Sequence, residues 1–329
     1  MAVKKAVITA AGRGTRQYPA SSAVHKEMFP LVDRDGLTKP VIQIIGEEAM
    51  SAGIKSLCIV TAPGEENRYR EYFRGLSESM LPAFSDKSWA LAESNRLERF
   101  ESMLHFVAQQ SAEGYGHAVW CAKEFVGDDP FLLLLGDHIY LSDGDCSCAQ
   151  QLITAYHAES CGSITAVQRT HESQLAQFGT TAGEPIPGRP GIYRASAIAE
   201  KPTVEYAKAH LRTPGLDPTT YICHFGMHVF SAQLFEILDR HVADDIRYRG
   251  EIQLTPAQQQ LRDLSDGAYL LAELAGKRYD TGIPYGLTEA QLALALRGVH
   301  REQILASIQE LCSDLRIDDA NGQNNTPRL

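Results

Sequence analysis

The chain has 329 residues, 44% of them hydrophobic, and a formal net charge of -10 from 31 Lys and Arg against 41 Asp and Glu. That length can bury a large core, and the acidic balance argues against a nucleic-acid partner, which would need a basic face to displace counterions. With no run of about eighteen apolar residues and no signal-peptide pattern, the expectation is a cytoplasmic protein with no membrane partner. The seven cysteines are scattered except for Cys146 and Cys148, and reduced structural thiols are expected.

In chain order, Ala6-Val7-Ile8-Thr9-Ala10 is short, partly β-branched and bounded by glycine. It reads as a buried strand whose carboxyl end delivers a loop, the place where ligands bind in open α/β sheets. In that loop Gly12 and Gly14 are expected to turn with positive φ and to bring backbone N–H groups close to an anion. Arg13, Arg16 and Lys26 supply countercharge. The loop is not a dinucleotide fingerprint, because Gln17 stands where a third glycine belongs, and not a P-loop, because Thr15-Arg16 follows Gly14.

Residues 40–52 place Val41, Ile44, Ile45, Ala49 and Ala52 on one helical stripe, with Glu47 and Glu48 toward solvent. Residues 56–61 and 131–136 read as central strands, and 74–106 as a charged helical segment without sheet signals. A helix is expected over 151–159, strands over 163–168, 192–198 and 221–230, and a loop or hairpin connection over 177–194. Residues 287–296 and 303–311 read as helices, and 318–329 as a flexible polar tail. Alternating strands and amphipathic stretches imply a parallel sheet wrapped by helices.

A bland glycine turn does not account for the basic residues, nor for Lys26-Glu27-Met28-Phe29-Pro30-Leu31. G-x-G-T-R, a spacer and K-x-x-x-P-L resemble the signature of the sugar-nucleotide pyrophosphorylases, and K-E-M-x-P-L is most similar to their bacterial uridylyltransferase branch. Gly114-Tyr115-Gly116-His117-Ala118-Val119, Leu135-Gly136-Asp137, Ala199-Glu200-Lys201-Pro202, Gly250-Glu251-Ile252-Gln253-Leu254-Thr255 and Tyr279-Asp280-Thr281-Gly282 follow in family order, so the resemblance covers roughly residues 3–300.

The resemblance implies a Rossmann-like three-layer α/β/α nucleotidyltransferase fold, with a mixed, mostly parallel central sheet and a smaller sugar-binding β part. One domain would span 1–317: a nucleotide-binding part over about 1–150, a sugar-binding part over about 160–285 and carboxyl-terminal helices over about 286–317. The implied reaction joins UTP to glucose 1-phosphate, giving UDP-glucose and pyrophosphate with Mg²⁺, in a homodimer or homotetramer. Residues 74–106 fall where the uridylyltransferases carry a helical insertion.

Two polyanions must meet in such a reaction, so cations have to cancel their repulsion and hold the in-line geometry. Arg16, Lys26 and Lys201 are the candidate catalytic residues. Ala10, Ala11, Gly12, Arg13, Gly14, Gln109 and Gly114 are the candidate nucleotide site, with Gln109 reading the imide edge of the base and Gln110 competing for that role. Asp137, after an apolar strand, and Asp280 are the expected Mg²⁺ ligands. A lone strand-end aspartate is more often a turn or cap residue, and family order reverses that preference here. The family meets the sugar phosphate with the lysine of Glu200-Lys201 and sugar hydroxyls with the glutamate; a solvated turn is the bland alternative.

Gly179 matches a glycine lying against the sugar, with Thr180-Thr181 in place of the usual apolar pair. His117 reads as a capping or packing residue, and His138 as a partner of Asp137 or a filler. Ser21-Ser22, His25, Gly136-Asp137 and Asp280-Thr281-Gly282 depart from the uridylyl pattern, leaving dTTP or another hexose 1-phosphate as alternatives. A non-catalytic sugar-nucleotide sensor is a further alternative. A dehydrogenase is disfavoured by Gln17. Lys26→Ala is expected to cut turnover by orders of magnitude and to leave folding intact.

Overall fold

The computed structural model describes residues 2–320. Its strands are β1 Lys5–Ala10, β2 Pro30–Val32, β3 Thr38–Pro40, β4 Ser56–Thr61, β5 Leu104–Ala108, β6 Phe131–Leu135, β7 His138–Ser142, β8 Ser163–His171, β9 Thr180–Pro185, β10 Ile192–Ala199, β11 Thr220–Phe230, β12 Tyr269–Glu273 and β13 Gly276–Asp280. A nine-stranded sheet has the order β5-β4-β1-β6-β11-β8-β12-β10-β9. The first four strands are parallel neighbours, and β8 and β12 are parallel as well. β11 and β10 run against the rest, which makes the sheet mixed and mostly parallel in direction.

Side-chain alternation along the strands builds the layers. Ala6, Ile8 and Ala10 of β1 and Leu132 and Leu134 of β6 face one apolar core, shared with the helices Val41–Ser51 and Cys148–Glu159. Val7, Phe131 and Leu133 face the opposite core with the helices Tyr115–Cys121, Gln233–Ala243 and Leu254–Leu264. Strands covered on both faces need this near-continuous apolar composition, and full burial of each Ile or Leu contributes roughly 2 kcal/mol.

The other half of the sheet curls. β9 pairs with β10 and also with Ile222 and Cys223 of β11, so that β11, β8, β12, β10 and β9 form a ring of pairings. Gly226 makes this possible: it has φ +83° within the register shift between His224 and His228. A Cβ there would lie 2.9 Å from Leu135 Cδ1. Beyond it β11 leaves β9 and pairs with β6.

Three expectations are corrected. The segment 74–106 is helical only in part: after the helix Ser88–Glu101 the chain enters β5, a sheet edge in which Leu104 alone is buried, so its apolar signal is weak. Glu47 and Glu48 do not face solvent. Glu47 pairs with Arg96 at 2.5 Å and Lys39 at 3.1 Å, and Glu48 accepts from the Ala149 amide at the amino end of the helix Cys148–Glu159. Both are tertiary contacts that favour charge where periodicity alone predicts a solvated face. The last helix runs Arg301–Ala320, so 318–320 continue it, and the rest of the expected tail lies outside the described residues. The 177–194 connection is the β9–β10 hairpin. The seven cysteines are free thiols. Among the described residues no helix is long and apolar enough to cross a membrane.

Candidate active site

The carboxyl ends of β1 and β6 lie side by side and open into a cleft of about 510 Å³. Ala11, Gly12, Arg13, Arg16, Lys26, Gln109, Gly114, Asp137, Gly179, Glu200, Lys201 and Asp280 all line it. Ala10, the last residue of β1, and Gly14 are not among the residues that line it.

In the loop after β1 only Gly14 adopts a left-handed conformation, with φ +62°. Gly12 does not, contrary to expectation, and a Cβ there would make only ordinary contact with Lys26 Nζ at 3.5 Å. Gln17 is buried and its amide donates to the Thr281 carbonyl at 2.7 Å, tying the loop to the end of β13. Lys26 opens a 3₁₀ turn, Lys26–Met28, and donates to Asp137 Oδ2 at 2.5 Å, with Glu27 Oε1 at 3.6 Å. Burial works against the Lys26 ammonium, but the Asp137 and Glu27 charges beside it carry its pKa above the ordinary value. Glu27 is pushed up to about 8, chiefly by burial. Lys26 is therefore a structural ion as well, so Lys26→Ala is expected to leave Asp137 buried without its cation and to cost stability, where the sequence alone offers no reason to expect a folding effect.

β13 runs antiparallel to β7 with Asp280 opposite His138, which places both beside Asp137. The candidate ligand atoms of these three residues lie within 4.8 Å of one another. Asp137 Oδ1 accepts from His138 Nδ1 at 2.9 Å, and its backbone carbonyl accepts from the Thr281 amide and hydroxyl. Burial opposes the Asp137 carboxylate, yet the His138 hydrogen bond and the Lys26 charge hold it well below the usual range. A Cβ on Gly282 would sit 2.5 Å from Asp137 Oδ2 and 3.0 Å from Asp280 Oδ1, so glycine keeps open the space between the carboxylates. Two carboxylates around such a gap suit a hard divalent cation. Arg16, mostly exposed, reaches Asp280 at 3.7 Å.

Gln109 follows β5, is buried and lines the cleft, while Gln110 is exposed and does not line it. Its Nε2 approaches the Gly114 carbonyl and His117 Nδ1, each at 3.0 Å. His117 does pack, stacking on Trp120, but it does not cap the helix; it is the partner of Gln109. Burial lowers its pKa. Gly114 has φ +119° and a Cβ there would meet the Ile252 carbonyl at 2.7 Å, so the 250–255 motif closes over this turn. Glu200 accepts from Thr255 Oγ1 of that motif at 2.6 Å, and Lys201, with φ +43°, stands half exposed at 3.8 Å from Glu200.

The polar lining residues outside the sequence-based set include His224, His228, Gln258 and Arg278. His224 packs so close to Gly179 that a Cβ on the glycine would lie 2.6 Å from its Nδ1. Burial holds His224 down to about 4 and His228 well below its ordinary value, so both rings are neutral. His228 Nδ1 bonds Thr165 Oγ1 at 2.9 Å. Arg278, whose pKa burial lowers, lies over the Phe178 ring at 4.0 Å and bonds His138 Nε2 at 2.9 Å. The one available sequence signal was polar residues inside strand-like runs, at His224, His228 and Arg278.

A glycine loop, a buried lysine and two carboxylates converging at the carboxyl ends of a mostly parallel sheet define a protein that handles phosphorylated nucleotides. The chain belongs to the nucleotidyl transferase family, whose model matches residues 5–295. It is 33% identical over 311 residues, 94% of this chain and 97% of the relative, to a UTP–glucose-1-phosphate uridylyltransferase of Bacillus subtilis. A UDP-glucose pyrophosphorylase complexed with UDP-glucose superposes with a TM-score of 0.69 at 27% identity, covering 88% of this chain and 98% of that one. A UTP-bound UGPase from Acinetobacter baumannii gives 0.74 at 26% identity, covering 94% and 99%.

Proposed function

We propose that the chain joins UTP to glucose 1-phosphate, releasing UDP-glucose and pyrophosphate. The observation that carries this reading is the convergence in one cleft of a phosphate loop, Lys26, the Asp137–Asp280 pair, Gln109 and Glu200-Lys201. A phosphate oxygen of the sugar phosphate attacks the α-phosphorus, the bond to the β-phosphate oxygen breaks, and pyrophosphate leaves with that oxygen. Asp137 and Asp280 would hold Mg²⁺, which when bound withdraws charge from the phosphate oxygens. Gly12, Arg13 and Gly14 cradle the triphosphate with Arg16 and Lys26 as countercharge, while Lys201 holds the sugar phosphate and Glu200 accepts from sugar hydroxyls. Ala10, Ala11 and Gly114 offer backbone to the nucleotide, and the backbone of Gly179 lies against the sugar.

Base choice follows from hydrogen-bond capacity. The Gly114 carbonyl can only accept, so the Gln109 NH₂ faces it and His117 Nδ1, and Oε1 is the group left for the base. An acceptor there favours the imide N–H of uracil or thymine over the bare ring nitrogen of cytosine. Pyrophosphate release across a panel of nucleoside triphosphates and sugar 1-phosphates tests the reading. UTP with glucose 1-phosphate is expected to give the highest kcat/KM; dTTP or another hexose in front would redirect it, and no turnover with any pair would leave a sensor.

A further inference from the structure

Arg278 and His224 form a polar wall beside Phe178 and Gly179 that the roles above do not use. The Arg278 guanidinium is fixed on two sides: its face packs over Phe178 and its Nη1 bonds His138 Nε2. Nε and Nη2 remain, the pair of donors that a guanidinium presents side-on. Both are buried and, among the described residues, have no hydrogen-bond partner. His224 Nε2 is in the same condition, and its ring lies against Gly179. Three unpartnered buried polar atoms, all on two residues that line one cleft, are costly unless a ligand completes them. The cations suited to phosphate, Arg13, Arg16, Lys26 and Lys201, come from other elements.

We propose that this wall reads the hexose. Arg278 donates side-on through Nε and Nη2 to two neighbouring hydroxyl oxygens, and His224 exchanges a hydrogen bond with a third through Nε2. The inference rests on the sugar-phosphate reading above and deepens it, because a sugar lacking one of these hydroxyls leaves a buried donor unpaired, which is how a site rejects a near-isostere.

The test compares glucose 1-phosphate with its 2-, 3-, 4- and 6-deoxy analogues in wild type, Arg278→Met, Arg278→Lys and His224→Phe. Wild type is expected to lose roughly 10- to 100-fold in kcat/KM on the analogues whose hydroxyls are read. Each variant should lose about as much on glucose 1-phosphate itself, lose little more on the matching analogues, and keep its KM for UTP within about twofold. Arg278→Lys keeps the charge without the fork, so it should show the Arg278→Met pattern even if the methionine variant folds poorly. Parallel losses on every sugar, unchanged activity, or a shift confined to UTP would overturn the assignment. Preference for a hexuronic acid 1-phosphate would overturn it too, by giving the fork a carboxylate. A wild type inert toward glucose 1-phosphate ends the functional reading and this inference together, whereas an active wild type with undisturbed variants ends this inference alone.

Discussion

The phosphate end and the sugar end of the cleft hold their polar groups in opposite ways. At the phosphate end the groups come from loops, short turns and the ends of strands and are already paired: Lys26 with Asp137, Asp137 with His138, Arg16 with Asp280. At the sugar end, apart from Glu200 and Lys201 just past β10, they come from strand interiors, and are held neutral as in His224 and His228 or keep unpartnered donors as in Arg278. A site balanced in advance ties catalysis to stability, whereas a site with unpaired donors ties burial to selectivity. Substitutions at the two ends should therefore fail differently.

The largest effect is expected from Lys26→Ala. Turnover should fall by about a thousandfold or more, since an ammonium at developing phosphate charge acts on the transition state. Stability should fall with it by about 3–5 kcal/mol, because Asp137 stays buried without its cation. Pyrophosphate release and urea unfolding on the same preparation read both. Adding Asp137→Asn should restore part of the stability and none of the activity; an additive loss of stability would mean that the pair is not coupled.

Gly282→Ala separates the two kinds of loss at the same end. The added methyl meets Asp137 Oδ2 at 2.5 Å and Asp280 Oδ1 at 3.0 Å, so the carboxylates must part. Turnover is expected to drop roughly a hundredfold, with weaker Mn²⁺ binding by calorimetry and a small change in unfolding. Unaltered ion affinity would exclude this pair as the ligand set.

A smaller effect is expected from His117→Leu, which removes one of the two acceptors that orient the Gln109 amide. The amide then turns more freely, and preference for UTP over CTP should narrow about tenfold through KM. Retained preference would leave the Gly114 carbonyl as sufficient support.

The same contrast explains what the sequence disclosed. The loop after β1, Lys26, Asp137, Glu200-Lys201 and Asp280 stand in short contiguous motifs, because backbone turns and strand ends impose local residue requirements. β1, β4 and β6 were legible because burial on both faces demands apolar runs. β5 was not, since an edge strand with only Leu104 buried carries little of that signal. Glu47 and Glu48 were misassigned because their partners, Arg96 and the Ala149 amide, lie far along the chain. His224, His228 and Arg278 escaped for a related reason: they enter the cleft only because Gly226 bends β11 and β13 pairs with β7. No spacing within the sequence records either event.

The smallest expected effect concerns pH. Burial depresses His224 to about 4 and also lowers His117, His228 and His241, so in each case the unfolded chain, titrating near 6.5, takes up its proton first. Stability conferred by the neutral rings is thus complete above about pH 6.5 and is lost as pH falls toward the folded values. Asp137, held low, adds nothing to that slope until pH falls toward the ordinary carboxylate value of 3.8. Between pH 6 and 5 His224 should contribute on the order of 1 kcal/mol to this loss, while Glu27, raised to about 8, binds its proton first in the folded state and opposes it, so the His224 share is read as the difference between wild type and variant. Urea unfolding of wild type and His224→Phe at pH 7, 6 and 5 checks this: the variant's curve should be flatter by about that amount. An unchanged slope would mean that the His224 ring is not held neutral, and the contrast between a charge-balanced end and a neutral one would lose its clearest thermodynamic sign.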